Sequence, residues 1–332
     1  MNVLKTFPVN DIEYLKMTIV KLHFPSQRGG AYHSGTKNSF FVFIEEVISD
    51  LRLSGRIRTS ETYATAFNSF KRFRNHLDIS LDDFDSTVVD AYEAYMKRHG
   101  ISPNSTSFYM RNLRAMYNRA VDCGLTSQCH PFKHVYTGVE KTTKRAISLT
   151  KLRKIKDVDL SDNPPLEFAR DMFMFSFYTR GMSFIDMAYL KKTDLNGGIL
   201  TYRRKKTGQK LHIKWESCMQ EIVDKYYIPD SEYLMSIINP YSRFPERKQY
   251  LYASHNVNRS LKMIGKRIKM NIPLTMYVSR HSWASIAKSK NIPLSVISEG
   301  MGHESENTTR IYLTTLDTDT IDKANSLILK LI

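Results

Sequence analysis

Between Lys37 and Cys123 apolar residues recur at helical spacing in four successive runs separated by short polar breaks. The first holds Phe40, Phe41, Ile44, Val47, Ile48 and Leu51 and ends at Gly55. The second starts near Ser60, with Glu61 in its first turn, and carries Tyr63, Phe67, Phe70 and Phe73. Asp85 or Ser86 starts a third with Val88, Val89, Tyr92 and Met96, stopped by Gly100; Pro103 opens a fourth with Phe108, Leu113, Met116, Tyr117 and Ala120 on one face. Helices with one apolar face each bury it against one another, so this half of the chain predicts a helical bundle.

The pattern lapses between Cys129 and Arg145 into Pro131, Gly138 and a basic stretch, which predicts a linker. Beyond it the chain reads as mostly helical with one small sheet, where two short strands flank a Lys206, Thr207, Gly208 turn. The expected class is mainly α with a small β-sheet (α+β). With 332 residues the chain has room for two domains of ~100–200 residues each. The expected division is an N-terminal extension at 1–34, a helical domain at 35–128, a linker at 129–145 and a second domain at 146–332. Residues 1–34 read either as an added DNA-binding element or as a packing extension of the bundle, the second being favoured.

A net charge of +16 favours polyanionic partners and salt-dependent association. No apolar run approaches the ~20 residues that span a bilayer, and the N-terminus lacks the order of a signal peptide, so no membrane partner and a cytoplasmic location are expected. Cys123, Cys129 and Cys218 show no paired metal spacing, and neither disulfide nor metal is expected.

The chemistry concentrates near the C-terminus. Arg280 opens an apolar-periodic run with Trp283, Ile286 and Ala287, and so is expected in the first turn of a helix. Gly302 permits a tight approach before His303. Thr308 and Thr309 are expected to start a short helix, with Tyr312 one turn later. An arginine fork grips two phosphate oxygens, a histidine donates or relays a proton, and a tyrosine can attack phosphorus. Together these residue types point to DNA strand transfer.

Three blocks, Arg280, His281 and Ala284, then Gly302 and His303, then Thr308, Thr309 and Tyr312, give this segment its resemblance to the tyrosine recombinases, or phage integrase family. The resemblance implies a two-domain DNA clamp, a helical core-binding domain (35–128) followed by a catalytic domain. It implies Arg180 as a second phosphate clamp, Asp186 as a structural partner of that turn, and Lys206 as the proton donor to the departing 5′ oxygen, with Lys205 as the competing neighbour. Where the family has a small residue and then Ser-Glu-Leu after its first arginine, this chain has a longer joint through Gly181, Met182 and Ser183. Where the family has histidine three residues before the second arginine, this chain has Tyr277, whose phenol titrates near pH ~10, which fits support of the phosphate or nucleophile better than proton exchange.

The implied reaction joins Tyr312 to a 3′-phosphate while His303 hydrogen-bonds the phosphate, and it needs neither cofactor nor metal because the ester bond retains the energy. The implied partner is double-stranded DNA at specific recombination sites, with a monomer in solution assembling as a homotetramer on DNA through a C-terminal helix near 317–331. Lys71, Arg72, Arg74, Arg111, Arg114, Arg203, Arg204 and Lys205 are the expected DNA contacts. A type IB topoisomerase-like enzyme and a catalytically inactive architectural protein are the alternative readings.

Overall fold

In a computed structural model, residues 38–140 and 145–310, with Leu313 and Leu329, are described. The chain divides into two compact units, residues 1–141 and 142–332. The N-terminal extension, Lys141 to Lys144, Tyr312 and nearly all of the expected C-terminal helix lie outside the described residues.

The first unit is built from α1 (Phe40–Leu53), α2 (Ile57–Phe73), α3 (Ser86–Arg98) and α4 (Pro103–Asp122). Three of their starts are set by local side chains: Ser39 accepts the N–H of Val42, Asp85 that of Val88, and Ser102 that of Ser105 ahead of Pro103. The core is aromatic. Phe40 stacks on Phe84 with centroids 4.4 Å apart, Phe70 meets Tyr92 edge-on at 5.3 Å, and the Tyr92 hydroxyl donates to Ser69 Oγ at 2.8 Å. Each such ring contributes on the order of 1.5–3 kcal/mol through burial.

The expected linker differs from what is found. Phe132 and Val135 are buried in the same core as α1 to α4. Asn104 on α4 exchanges hydrogen bonds with the backbone of Glu140 at 2.8 and 3.1 Å, and Ser107 donates to the Gly138 carbonyl. Residues 129–140 therefore belong to the bundle, held by two apolar anchors and three side chain to backbone bonds.

The second unit centres on α6 (Pro164–Tyr178), whose Met172, Phe173 and Phe175 are fully buried. Around it lie α5 (Leu149–Asp157), α7 (Phe184–Ala188), α8 (Ser217–Lys225), α9 (Glu246–Arg267), α10 (Met276–Ser289), α11 (Leu294–Gly300) and α12 (Glu306–Arg310). An antiparallel sheet runs in the order β1 (Leu195–Asn196), β2 (Ile199–Arg203), β3 (Lys210–Lys214), with Leu200 opposite Ile213 and Tyr202 opposite Leu211. The strand alternation turns Leu200, Tyr202, Leu211 and Ile213 into the core. Buried Asp171 joins α6 to α8 by accepting from Lys225 Nζ at 2.9 Å and the Tyr226 hydroxyl at 2.7 Å. Among the described residues no helix is long and apolar enough to cross a membrane.

Candidate active site

Arg280 lies in the second turn of α10, because that helix begins four residues earlier than the apolar run indicates. The N–H of Met276 at its start is satisfied by Asn258 Oδ1 of α9 at 3.0 Å, a partner 18 residues away in sequence. Ser279 fixes the same turn by donating to the Phe173 carbonyl of α6 at 3.1 Å.

The guanidinium of Arg280 is buried, with 5 % of the residue exposed, and is held from three directions. Nη1 donates to the Gly181 carbonyl at 2.6 Å; Nη2 donates to the Met301 carbonyl at 2.7 Å and to His303 Nε2 at 2.8 Å. A guanidinium only donates, so Nε2 of His303 is the acceptor and the imidazole proton sits on Nδ1, which donates to Thr309 Oγ1 at 2.7 Å. Burial, and the positive charges of Arg280, Arg204 and Lys206, press the His303 pKa down to about 4, so the ring is neutral near pH 7. In this tautomer His303 aligns Arg280, and a phosphate oxygen, itself an acceptor, bonds Nε2 only after a proton arrives there.

Arg180 follows the C-terminus of α6 in a left-handed conformation, φ 60°, and Gly181 continues it at φ 78°. A Cβ on Gly181 would lie 2.8 Å from Cα and Cγ of Arg280, so glycine is what lets the Arg180 turn rest on Arg280. The Arg180 stem runs toward Gly300, where a Cβ would meet Arg180 Cδ at 3.6 Å and Trp283 at 3.3 Å. Asp186, 4 % exposed, accepts from Ser183 Oγ at 2.6 Å and from the backbone N–H of Lys205 at 2.8 Å, tying the turn after Arg180 to the β2–β3 hairpin.

The two hairpin lysines part company. Lys205 places its ammonium 4.3 Å from the centroid of the Tyr189 ring, whereas Lys206 is exposed at the tip and near enough to His303 to depress its pKa. Tyr277 is 54 % exposed on α10 and packs edge-on against His281 at 5.0 Å. Tyr312 lies outside the described residues.

Residues 39–135 match the Phage integrase SAM-like domain and residues 159–318 match the Phage integrase family. The chain belongs to the phage integrase family of tyrosine recombinases. Among its relatives, tyrosine recombinase XerD of Listeria monocytogenes is 24% identical over 262 residues, covering 72% of this chain and 83% of XerD. Tyrosine recombinase XerA of Pyrococcus furiosus is 24% identical over 278 residues, covering 81% and 88%. In fold the chain is similar to lambda integrase, solved as a dimer bound to a COC′ core site, with a TM-score of 0.62, 16% identity and coverage of 87% and 85%.

Within this recombinase the expected DNA contacts fall into distinct groups. Arg72, Arg111 and Arg114 in the first unit are exposed, as is Arg203 at the end of β2. Lys71 is committed within the bundle, paired with Glu45 at 3.1 Å and lying over the Phe67 ring at 4.5 Å; Arg74 donates to the Asp78 carbonyl at 3.3 Å. Arg204 is a correction. It is 8 % exposed and donates through Nη1 to the Gly302 carbonyl, because the in-out alternation of β2 continues one position beyond the strand and turns it inward. Lys205 likewise lies on Tyr189 at the tip. The partners the sequence reading missed are Thr309, the acceptor for His303, and Tyr202, a buried phenol among Arg180, Arg204 and Arg280 whose pKa burial pushes up. The alternation Leu200, Tyr202, Arg204 is the signal that marks both Tyr202 and Arg204 as facing inward.

Proposed function

We propose that this protein cuts and rejoins double-stranded DNA at specific sites through a 3′-phosphotyrosyl intermediate, in integration, excision or inversion. The observation that carries the reading is the grip on Arg280. Two backbone carbonyls and His303 hold a buried guanidinium in one orientation beside the Arg180 turn, and such preorganised charge stabilises a transition state at no reorganisation cost.

In this reading Arg180 and Arg280 neutralise the non-bridging oxygens of the scissile phosphate and Tyr312 attacks phosphorus. The P–O5′ bond breaks as Lys206 gives its proton to O5′, and the phenol proton leaves to solvent. His303 acts first as the orienter of Arg280, which its neutral Nδ1–H tautomer supports. Lys206 is preferred to Lys205 because the Lys205 ammonium is engaged on Tyr189. Tyr277 takes a supporting role at the rim, consistent with its exposure. Residues 39–135 supply the core-binding half with Arg72, Arg111 and Arg114 toward phosphates, and the working assembly is a homotetramer on DNA formed from cytoplasmic monomers. Lambda integrase has also been solved as a tetramer bound to a Holliday junction, again at a TM-score of 0.62 and 16% identity.

The test is capture of a covalent adduct from a pool of random-sequence duplexes nicked for suicide cleavage, followed by sequencing of the trapped DNA. Adducts that share a recoverable site, persist with chelator and vanish in Tyr312→Phe support the proposal. Adducts that survive that substitution, or none at all from folded protein, would refute it.

A further inference from the structure

Arginine is rarely buried without a task, and Arg204 occupies the inward position that follows Leu200 and Tyr202 on β2. Its Nη1 donates to the carbonyl of Gly302, the residue immediately before His303. Gly302 has φ 65°, and a Cβ there would lie 2.9 Å from Arg204 Cδ, so the approach depends on glycine. The backbone of Arg204 closes the hairpin turn: its N–H donates to the Gln209 carbonyl at 2.9 Å and its carbonyl accepts from Gly208 at 2.8 Å. The next residue is held as well, through Lys205 N–H on Asp186 and Lys205 Nζ over Tyr189. Thus both residues preceding Lys206 are pinned, one of them to the turn that carries His303.

We infer that Arg204 is a positioning residue, a buried strap from the hairpin to Gly302 that keeps the Lys206 ammonium in register with the phosphate held by Arg280. The inference rests on the reading of Lys206 as the proton donor to O5′. A hairpin tip without such a strap would let the ammonium wander, and a general acid acts only within hydrogen-bond reach of the atom it protonates. Arg204 stands behind the proton transfer and has no part in binding the nucleophile.

The test uses the full chain and the duplex site recovered by adduct sequencing, in two forms. One carries the ordinary phosphodiester and the other a 5′-bridging phosphorothiolate, where P–S5′ breaks and the sulfur leaves as a thiolate that needs no proton. Arg204→Met is expected to slow single-turnover cleavage of the ordinary duplex by about a hundredfold, the scale of a lost general acid, and to cleave the phosphorothiolate at nearly the wild-type rate. Lys206→Ala is expected to behave in the same way. Equal slowing of both substrates by Arg204→Met, as for a phosphate clamp or a purely structural residue, overturns the inference, as does no slowing. If Lys206→Ala is itself not restored by sulfur, the assignment of Lys206 fails instead. Should Arg204→Met lose cooperative unfolding, Arg204→Lys, which keeps the charge and loses the fork, carries the same comparison.

Discussion

Replacing Gly181 by alanine tests whether the site depends on the contact between the Arg180 turn and Arg280. Two costs combine there. An L-residue held at φ 78° costs on the order of 1–2 kcal/mol. The new methyl would lie 2.8 Å from Cα and Cγ of Arg280, and relieving such overpacking costs about 1–3 kcal/mol more. Gly198, with φ 73° and nothing within 4 Å of its added Cβ, isolates the first cost. Urea unfolding of Gly181→Ala and Gly198→Ala should therefore differ by about 1–3 kcal/mol, the overpacking share alone. Activity should separate them further. The methyl can be accommodated only by moving Arg280 or the Gly181 carbonyl that orients it, and a displacement of ~1 Å in a positioned group costs on the order of a hundredfold in rate. Suicide-substrate cleavage should fall by that order for Gly181→Ala while affinity for uncleaved duplex changes little. Equal stability losses with undiminished cleavage in Gly181→Ala would refute the reasoning.

His303 takes up a proton at about pH 4 in the folded chain, against ~6.5 for free imidazole. Between those values the unfolded chain holds the proton and the folded chain does not. Stability should therefore decline as pH falls from ~6.5 to about 4 and level off below, by up to about 3 kcal/mol, and His303→Gln, which keeps an acceptor for Arg280, should flatten that part of the profile measured by denaturant unfolding. In the first unit, Phe132→Ala should lower the unfolding free energy by about 3–5 kcal/mol, which a linker residue would not do. Arg72→Ala should reduce the salt slope of DNA binding by roughly one, whereas Lys71→Ala, already paired with Glu45, should leave the slope nearly unchanged in filter-binding or anisotropy titrations.

What was legible in the sequence tracks how local its cause is. The four helices of the bundle are readable because their apolar period lies within each segment, and three of them carry their own cap, as with Asp85 accepting from Val88; α2, without a side-chain cap, starts at Ile57 rather than near Ser60. The start of α10 is not readable, since Asn258 on another helix supplies the acceptor for Met276. Nor was the packing of residues 129–140 readable, because Phe132 and Val135 are anchors without periodicity and become core only against α1 to α4. Arg280 and His303 stand out by residue type and spacing and Arg180 by the family resemblance, but the bonds that join them could not be read from the sequence. That His303 serves Arg280 follows from a tautomer, which is inferred from the positions of Thr309 and Arg280 on separate elements.

Arg204 failed as a surface contact for a reason that also explains the charge of the site. Helix α11 ends at Gly300, and the carbonyls just beyond it, Met301 and Gly302, lie at the negative end of the helix, where no further turn satisfies them. Arg280 takes the first and Arg204 the second. These two buried cations are compensated by backbone dipoles. The nearby carboxylate, Asp186, is occupied by Ser183 and the N–H of Lys205. Carbonyl dipoles carry only partial charge, and the depressed pKa of His303 reflects its burial first and then the positive charges of Arg280, Arg204 and Lys206. A site that meets its guanidiniums with carbonyls, at turns where only glycine fits, stays ordered before DNA arrives and still attracts a phosphate.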